Sequence, residues 1–254
     1  MSNFIHSRAE RERIKADKEE KILSFLLEET YSTSEIISKL LNTTQTTAYR
    51  TLKKMEKNDL VRLHVIGLDL GRVGKQAIWG LTPTGALIAT DPDMEDFKVD
   101  YFEVGKVKPI TMAHSFALQR AKVSALNSGW TNWLSSLKMQ QLANKDRSVW
   151  LQVPDAVAYS PEKVKTAIEL ERTVKTPKRY DEILSKYAQM LNSGTVDQVI
   201  YICPDKIAPR LAKLFKNIKK INLDGNVEPV SEELLSKFSF LSYQEWAGES
   251  VLDE

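Results

Sequence analysis

Three acidic side chains fall where apolar residues are expected. From Val153 to Tyr187 the chain reads VPDAVAYSPEKVKTAIELERTVKTPKRYDEILSKY, with Asp155, Glu169 and Glu171 set among Val, Ala, Ile and Leu. The segments VWLQVPDAVAY and TAIELER are predicted as strands. Side chains alternate across a strand, so Ala167, Glu169 and Glu171 point one way while Ile168 and Leu170 point the other. Two carboxylates at i and i+2 then share a face and repel. Asp155, just after Pro154, comes opposite them if the two strands pair. A divalent cation converts such repulsion into binding, because hard oxygen ligands suit Mg²⁺. If extended backbone continues past Glu171, Lys175 reaches the same face, to orient a nucleophilic water or neutralise a phosphate. Phosphodiester cleavage needs this chemistry. The metal polarises phosphoryl oxygens and lowers the pKa of bound water, and cations offset charge developing in the transition state. The plainer reading is an exposed strand face, with Glu169 and Glu171 paired to Arg172, Lys175 and Lys178 and Pro-Asp acting as a turn.

Other groups near the acids are ambiguous by type alone. Tyr159, Tyr180 and Tyr187 are close in sequence and are read first as packing residues. His114, on the predicted helix ITMAHSFALQRAKVSALNSG, is either a capping or core histidine or a group near a scissile phosphate. The segment KIAPRLAKLFKNIKK carries six Lys or Arg and no acid. That suits a nucleic-acid backbone, and equally a solvated helix face.

The elements that position the acids form a predicted α/β (α+β) domain over residues 111–254. Strands at WTNWL, VWLQVPDAVAY, TAIELER and VDQVIYICP interleave with helices at PKRYDEILSKYAQMLNS and PDKIAPRLAKLFKNI, which implies a mixed sheet. Residues 1–21 make a sign-alternating helical extension, either solvated or a dimerising arm. Residues 93–110 are a polar linker.

Residues 22–92 carry a sharper pattern. A helix ending near Glu29 precedes STSEIISKLL, where Ser34 or Thr33 can cap, and then TQTTAYRTLKKMEKNDL. The strands LVRLHVIG and QAIWGLT flank a Gly-punctuated loop, and Pro83 opens another helix. Three helices and a two-stranded wing make a winged helix-turn-helix. Ala48, Leu52 and Met55 should pack inward, leaving Thr46, Arg50, Lys53 and Lys57 on the opposite face. Residues 43–75 hold seven Lys or Arg against three Asp or Glu. Thr46 and Arg50 could then reach base edges, while Arg72 and Lys75 in the wing take the backbone. Winged helices also serve as protein-interaction modules, in which the same cations only solvate a surface.

Composition bounds these readings. The 254 residues are 42% hydrophobic and 28% charged, with a formal net charge of +2. A single cysteine, Cys203, argues against a disulfide framework or a zinc cluster and fits a reducing cytoplasm. No apolar run approaches the roughly 18 residues of a membrane span, so a soluble cytoplasmic protein is expected. No Gly-rich nucleotide cradle is visible.

Pro154-Asp155, then Glu169-Leu170-Glu171 on the next strand, then a helix, resembles the PD-(D/E)xK nuclease core of restriction endonucleases. With the winged helix, the helix bearing His114 and the LSKYAQML helix, the whole arrangement resembles plasmid mobilization relaxases of the MobC type and the related replication-relaxation proteins. The resemblance implies a Mg²⁺- or Mn²⁺-dependent nick in one strand of double-stranded plasmid DNA at a transfer origin. Accessory mobilization proteins and a coupling protein are the implied partners, with no membrane insertion. Asp155, Glu169 and Glu171 would hold the metal. Glu171 stands where the motif has its lysine, so Lys175, Lys178 or Lys186 substitutes, and strand geometry favours Lys175. Hydrolysis by water and a covalent tyrosine link, through a residue such as Tyr187, both stay open. The alternatives are a non-catalytic winged-helix regulator or plasmid replication protein, and a defensive endonuclease cutting both strands.

Overall fold

The computed structural model describes residues 7–67, 74–90, 101–143, 150–223 and 225–246. The chain forms two compact units, Met1–Gln119 and Arg120–Glu254. No helix among the described residues is long and apolar enough to cross a membrane.

In the first unit α1 (Arg8–Glu29) starts at Ser7, whose hydroxyl accepts the Glu10 N–H. Its described N-terminal turns are mostly exposed; the buried residues Ile22, Leu23, Phe25 and Leu26 all lie in its last two turns. After β1 (Tyr31–Ser32) come α2 (Ser34–Leu40), capped by Thr33, and α3 (Gln45–Lys57), capped by Thr44. Both hydroxyls accept an amide that the first helical turn leaves without a partner. The wing is β2 (Val61–Gly67) paired antiparallel with β3 (Lys75–Leu81), and β1 adds to β3 in a sheet ordered β1-β3-β2. Next comes α4 (Pro83–Ala89), capped by Thr82. Ala48, Leu52 and Met55 of α3 are fully buried, as their spacing requires. This is the winged helix-turn-helix order, with β1 added.

The division between the units falls inside α5 (Pro109–Asn127), between Gln119 and Arg120. On the first-unit side Gln119 is buried, accepting from the Ser32 hydroxyl and donating to the Tyr31 carbonyl, each at 2.8 Å.

The second unit contains β4 (Thr131–Ser135), α6 (Ser136–Ala143), β5 (Ala156–Tyr159), β6 (Lys165–Leu170), α7 (Pro177–Asn192), β7 (Gln198–Cys203), α8 (Ala208–Asn217), β8 (Lys220–Leu223), β9 (Asn226–Pro229), α9 (Glu232–Ser236) and β10 (Phe238–Ser242). Its five-stranded sheet is ordered β10-β7-β6-β5-β4. β6, β7 and β10 are parallel; β5 and β4 continue antiparallel. Parallel neighbours need a crossover, which α7 supplies between β6 and β7. The core gathers Val157, Ala167 and Val199 of the sheet with Tyr180, Leu184 and Tyr187 of α7 and Leu211 and Phe215 of α8.

The strands bearing the acids are shorter than predicted. Of VWLQVPDAVAY only Ala156–Tyr159 is strand, and β6 ends at Leu170. Thus only Glu169 is inside a strand, with Asp155 one residue before β5 and Glu171 one after β6. Pro154 explains the stop. It has no N–H for the ladder, and the Leu170 N–H bonds instead to Asp155 Oδ2 at 2.8 Å.

Candidate functional site

Asp155 and Glu169 come together through strand register. Ala156 lies opposite Ile168 in the antiparallel β5–β6 pair, and one further step sets Asp155 against Glu169. By alternation both side chains take the sheet face of Val157 and Ala167, the face that contributes to the core with α7 and α8. They stand at its end, beside the carboxyl terminus of β6. In sheets with parallel strands, ligands collect in the crevice outside the carboxyl ends of the strands.

Glu169 is half-buried. Its Oε1 accepts the Tyr187 hydroxyl at 2.5 Å and is 3.5 Å from the Gln152 amide nitrogen. Burial first, and the Asp155 charge second, push its carboxyl up to about 8, against the opposing pull of Tyr187, Lys175 and Gln152. Such a group keeps its proton at neutral pH unless another cation takes the proton's place.

Glu171 has a different environment. Its N–H still bonds to the Ile202 carbonyl at 3.0 Å, and the residue is 5% exposed. Its Oε2 forms a short ion pair with the Lys175 ammonium and accepts the Tyr180 hydroxyl at 3.1 Å. The Tyr180 oxygen in turn accepts the Lys175 backbone N–H at 3.0 Å. Lys175 therefore reaches the acids through the loop into α7, not along extended backbone as predicted. The expected three-carboxylate cluster is not assembled. Among the described residues no three His, Cys, Asp or Glu side chains form a group able to hold a metal.

A cleft of about 430 Å³ opens beside Glu169. Glu169, Lys175 and Tyr201 line it, with Lys178, Arg179 and Lys186 projecting from α7. Two tyrosines read as packing residues do more than pack. Tyr180 and Tyr187 bury their rings completely yet place their hydroxyls on Glu171 and Glu169. Burial raises both hydroxyls well above the ordinary phenol range. Tyr159 pairs with Lys165 at the opposite end of β5. His114 is on the first-unit part of α5, whereas the acids belong to the second unit.

Gln152 and Tyr201 were not singled out in the sequence. Tyr201 lies in the apolar run VIYIC, where nothing marks it, and pairs in register with Glu169. The tyrosines of α7 did leave a signal. Tyr180, Leu184 and Tyr187 recur at helical spacing and define the inward face, which starts beside the acids.

In the winged helix, Thr46, Arg50 and Lys57 are exposed on α3, and Lys75 is exposed where β3 begins. Arg50 and Lys57 make no ion pair among the described residues. Lys53 does: its ammonium is 2.7 Å from Glu56 Oε2 and lies over the rings of Tyr49 and Trp79. Glu56 also accepts the Leu63 N–H at 3.2 Å. Lys53 thus ties α3 to the wing, with its charge offset by Glu56. Arg72 lies outside the described residues.

A winged helix-turn-helix followed by a mixed α/β sheet with acids at its open end defines the class of protein. Residues 23–201 match the replication-relaxation family, and the chain belongs to it. Membership associates the chain with plasmid replication and relaxation. No curated protein and no solved structure matches the chain.

The Glu169 environment predicts a pH dependence of stability. With its folded value near 8 and its ordinary value near 4.5, the folded form holds the proton more tightly. The resulting stabilisation is complete below about 4.5 and is lost as pH rises toward 8. Thermal melts in EDTA between pH 4 and 9 should show wild type losing stability across this window relative to Glu169→Gln, which has no proton to release. Parallel curves for the two proteins would contradict this environment.

Proposed function

We propose that the chain is a metal-dependent DNA nickase that opens one strand at a plasmid transfer origin. The second unit then serves as a nuclease core of the PD-(D/E)xK kind. The observation carrying this reading is the register-enforced opposition of Asp155 and Glu169 beside a cationic cleft. Mg²⁺ and Mn²⁺ accept such a site, since these ions are commonly held by one or two carboxylates with water and substrate phosphate completing the shell. Asp155 and Glu169 would hold the ion, which supplies Lewis acidity toward phosphoryl oxygens. Glu171 orders Lys175 through the ion pair and through Tyr180, and Lys175 lies at the cleft to offset charge on a bound phosphate. Buried tyrosines with raised hydroxyls make poor nucleophiles, which favours water over a covalent tyrosine link.

The winged helix would supply the search for the site. Exposed Thr46 and Arg50 are placed to meet base edges, and Lys57 and Lys75 to meet phosphates. The second reading, a non-catalytic plasmid regulator or replication protein, draws on the tying of Lys175 to Glu171 and on the two-carboxylate count.

Supercoiled plasmid bearing the cognate transfer origin, incubated with Mn²⁺ or Mg²⁺, distinguishes the two. Wild type should yield open circles, and Asp155→Ala or Glu169→Ala should lower the rate by about a hundredfold, the upper end of the roughly 10–100-fold that losing even an outer-shell partner of a metal ligand costs. DNA binding by all three proteins without cutting supports the regulator, and linear product supports a double-strand endonuclease. In the same system, Arg50→Ala should weaken duplex binding by about 1–3 kcal/mol, and Lys53→Ala by clearly less. The reverse order would remove α3 as the recognition element.

A further inference from the structure

The cleft has a second face that the acids do not use. Lys178, Glu182 and Lys186 recur at i, i+4 and i+8 on α7, so they stand in one row along the helix, with Arg179 beside it. Lys178, Arg179 and Lys186 are exposed and make no ion pair among the described residues. Glu182 in the row and Asp181 beside it are the acids on this part of α7. The helix itself begins at the cleft. Thr176 is its N-cap but makes no side-chain cap bond; Pro177 has no N–H and the Arg179 N–H bonds to the Thr176 carbonyl, so among the described residues the Lys178 N–H is the first-turn amide left open to an anion.

An independent observation comes from the neighbouring strand. Tyr201 is 1% exposed and lines the cleft, yet its buried hydroxyl has no hydrogen-bond partner among the described residues. Its ring is fixed between Phe215 and Phe240, with centroids 5.4 Å from each. A buried hydroxyl left without a partner is destabilising, and an acceptor oxygen entering the cleft would relieve it.

We propose that this cleft binds a phosphodiester of single-stranded DNA, with Lys178, Arg179 and Lys186 balancing its charge and the Tyr201 hydroxyl donating to a non-bridging oxygen. The size selects the strand. A cavity of about 430 Å³ takes one sugar-phosphate unit of a single backbone and not both paired strands of a duplex. The Tyr201 ring is packed on aromatic neighbours and is not free to stack on a base, so recognition is of the backbone and independent of sequence. The inference rests on the DNA-processing reading and adds the strand class and the residues that hold it.

The test is binding of a fluorescein-labelled oligothymidine to the full chain in EDTA, which excludes cleavage, across a salt series. Neutralising one phosphodiester of a single strand gives a log–log salt slope of about −0.7, and each Lys→Gln or Arg→Gln change should make it shallower. Lys178→Gln, Arg179→Gln and Lys186→Gln together should abolish the salt-dependent component. Tyr201→Phe should weaken binding about threefold to tenfold while the melting temperature stays level or rises. A merely structural hydroxyl would instead lower the melting temperature and leave affinity unchanged. Wild-type affinity and slope in the triple variant would overturn the proposal. So would a loss produced by Arg210→Gln with Lys213→Gln on α8, or by Arg50→Ala on α3, in its place. Oligonucleotide binding without any nicking of supercoiled plasmid would keep this site and sink the nickase.

Discussion

The second unit is organised around one unfavourable pairing. Antiparallel register between β5 and β6 forces Asp155 against Glu169 at the end of an apolar sheet face. Partial burial of one carboxyl beside another is costly, and the surrounding structure limits that cost without removing it. Tyr187 donates to Glu169, Gln152 approaches it, and the Leu170 N–H holds Asp155. Among the described residues no arginine or lysine makes an ion pair with Glu169; Lys175, which lines the same cleft, is committed to Glu171. A raised carboxyl held in this way marks a candidate functional site.

The same economy of pairing separates the two acids of the Glu169-Leu170-Glu171 segment. Alternation puts both on one face, but the strand ends between them. Glu169 stays in the ladder opposite Asp155, while Glu171 enters the loop and binds Lys175 and Tyr180. One acid thereby becomes a candidate ligand and the other an anchor for the nearby lysine. In the winged helix Glu56 acts similarly on Lys53, while Arg50, Lys54 and Lys57 of α3 make no ion pair among the described residues. In each unit, then, one ion pair fixes a lysine beside the groups for which function is proposed.

Much of the architecture was legible because it follows from periodicity. Ala48, Leu52 and Met55 recur at helical spacing, and the wing strands flank a Gly-rich turn, so the winged helix could be read directly. The main strands of the second unit could be read from their apolar runs. Their ends could not, because Asp155 terminates pairing through a side-chain bond to a residue fifteen positions away. β10 was missed for a related reason: SKFSFLS joins the sheet beside β7 only because the crossover brings it there. The acids were identified by type, but their division of labour depends on where β6 stops. Tyr201 carried no signal at all, since a tyrosine in an apolar run looks like any core aromatic until its hydroxyl is found without a partner.

Asp155 and Glu169, rather than Glu171, are the residues proposed to hold the cation. Isothermal titration of Mn²⁺ into wild type, Asp155→Ala, Glu169→Gln and Glu171→Gln tests this most directly. The account predicts one binding event in wild type, weakened at least tenfold by either of the first two substitutions and retained in Glu171→Gln. Absence of Mn²⁺ binding in wild type, or its loss in Glu171→Gln alone, would contradict it.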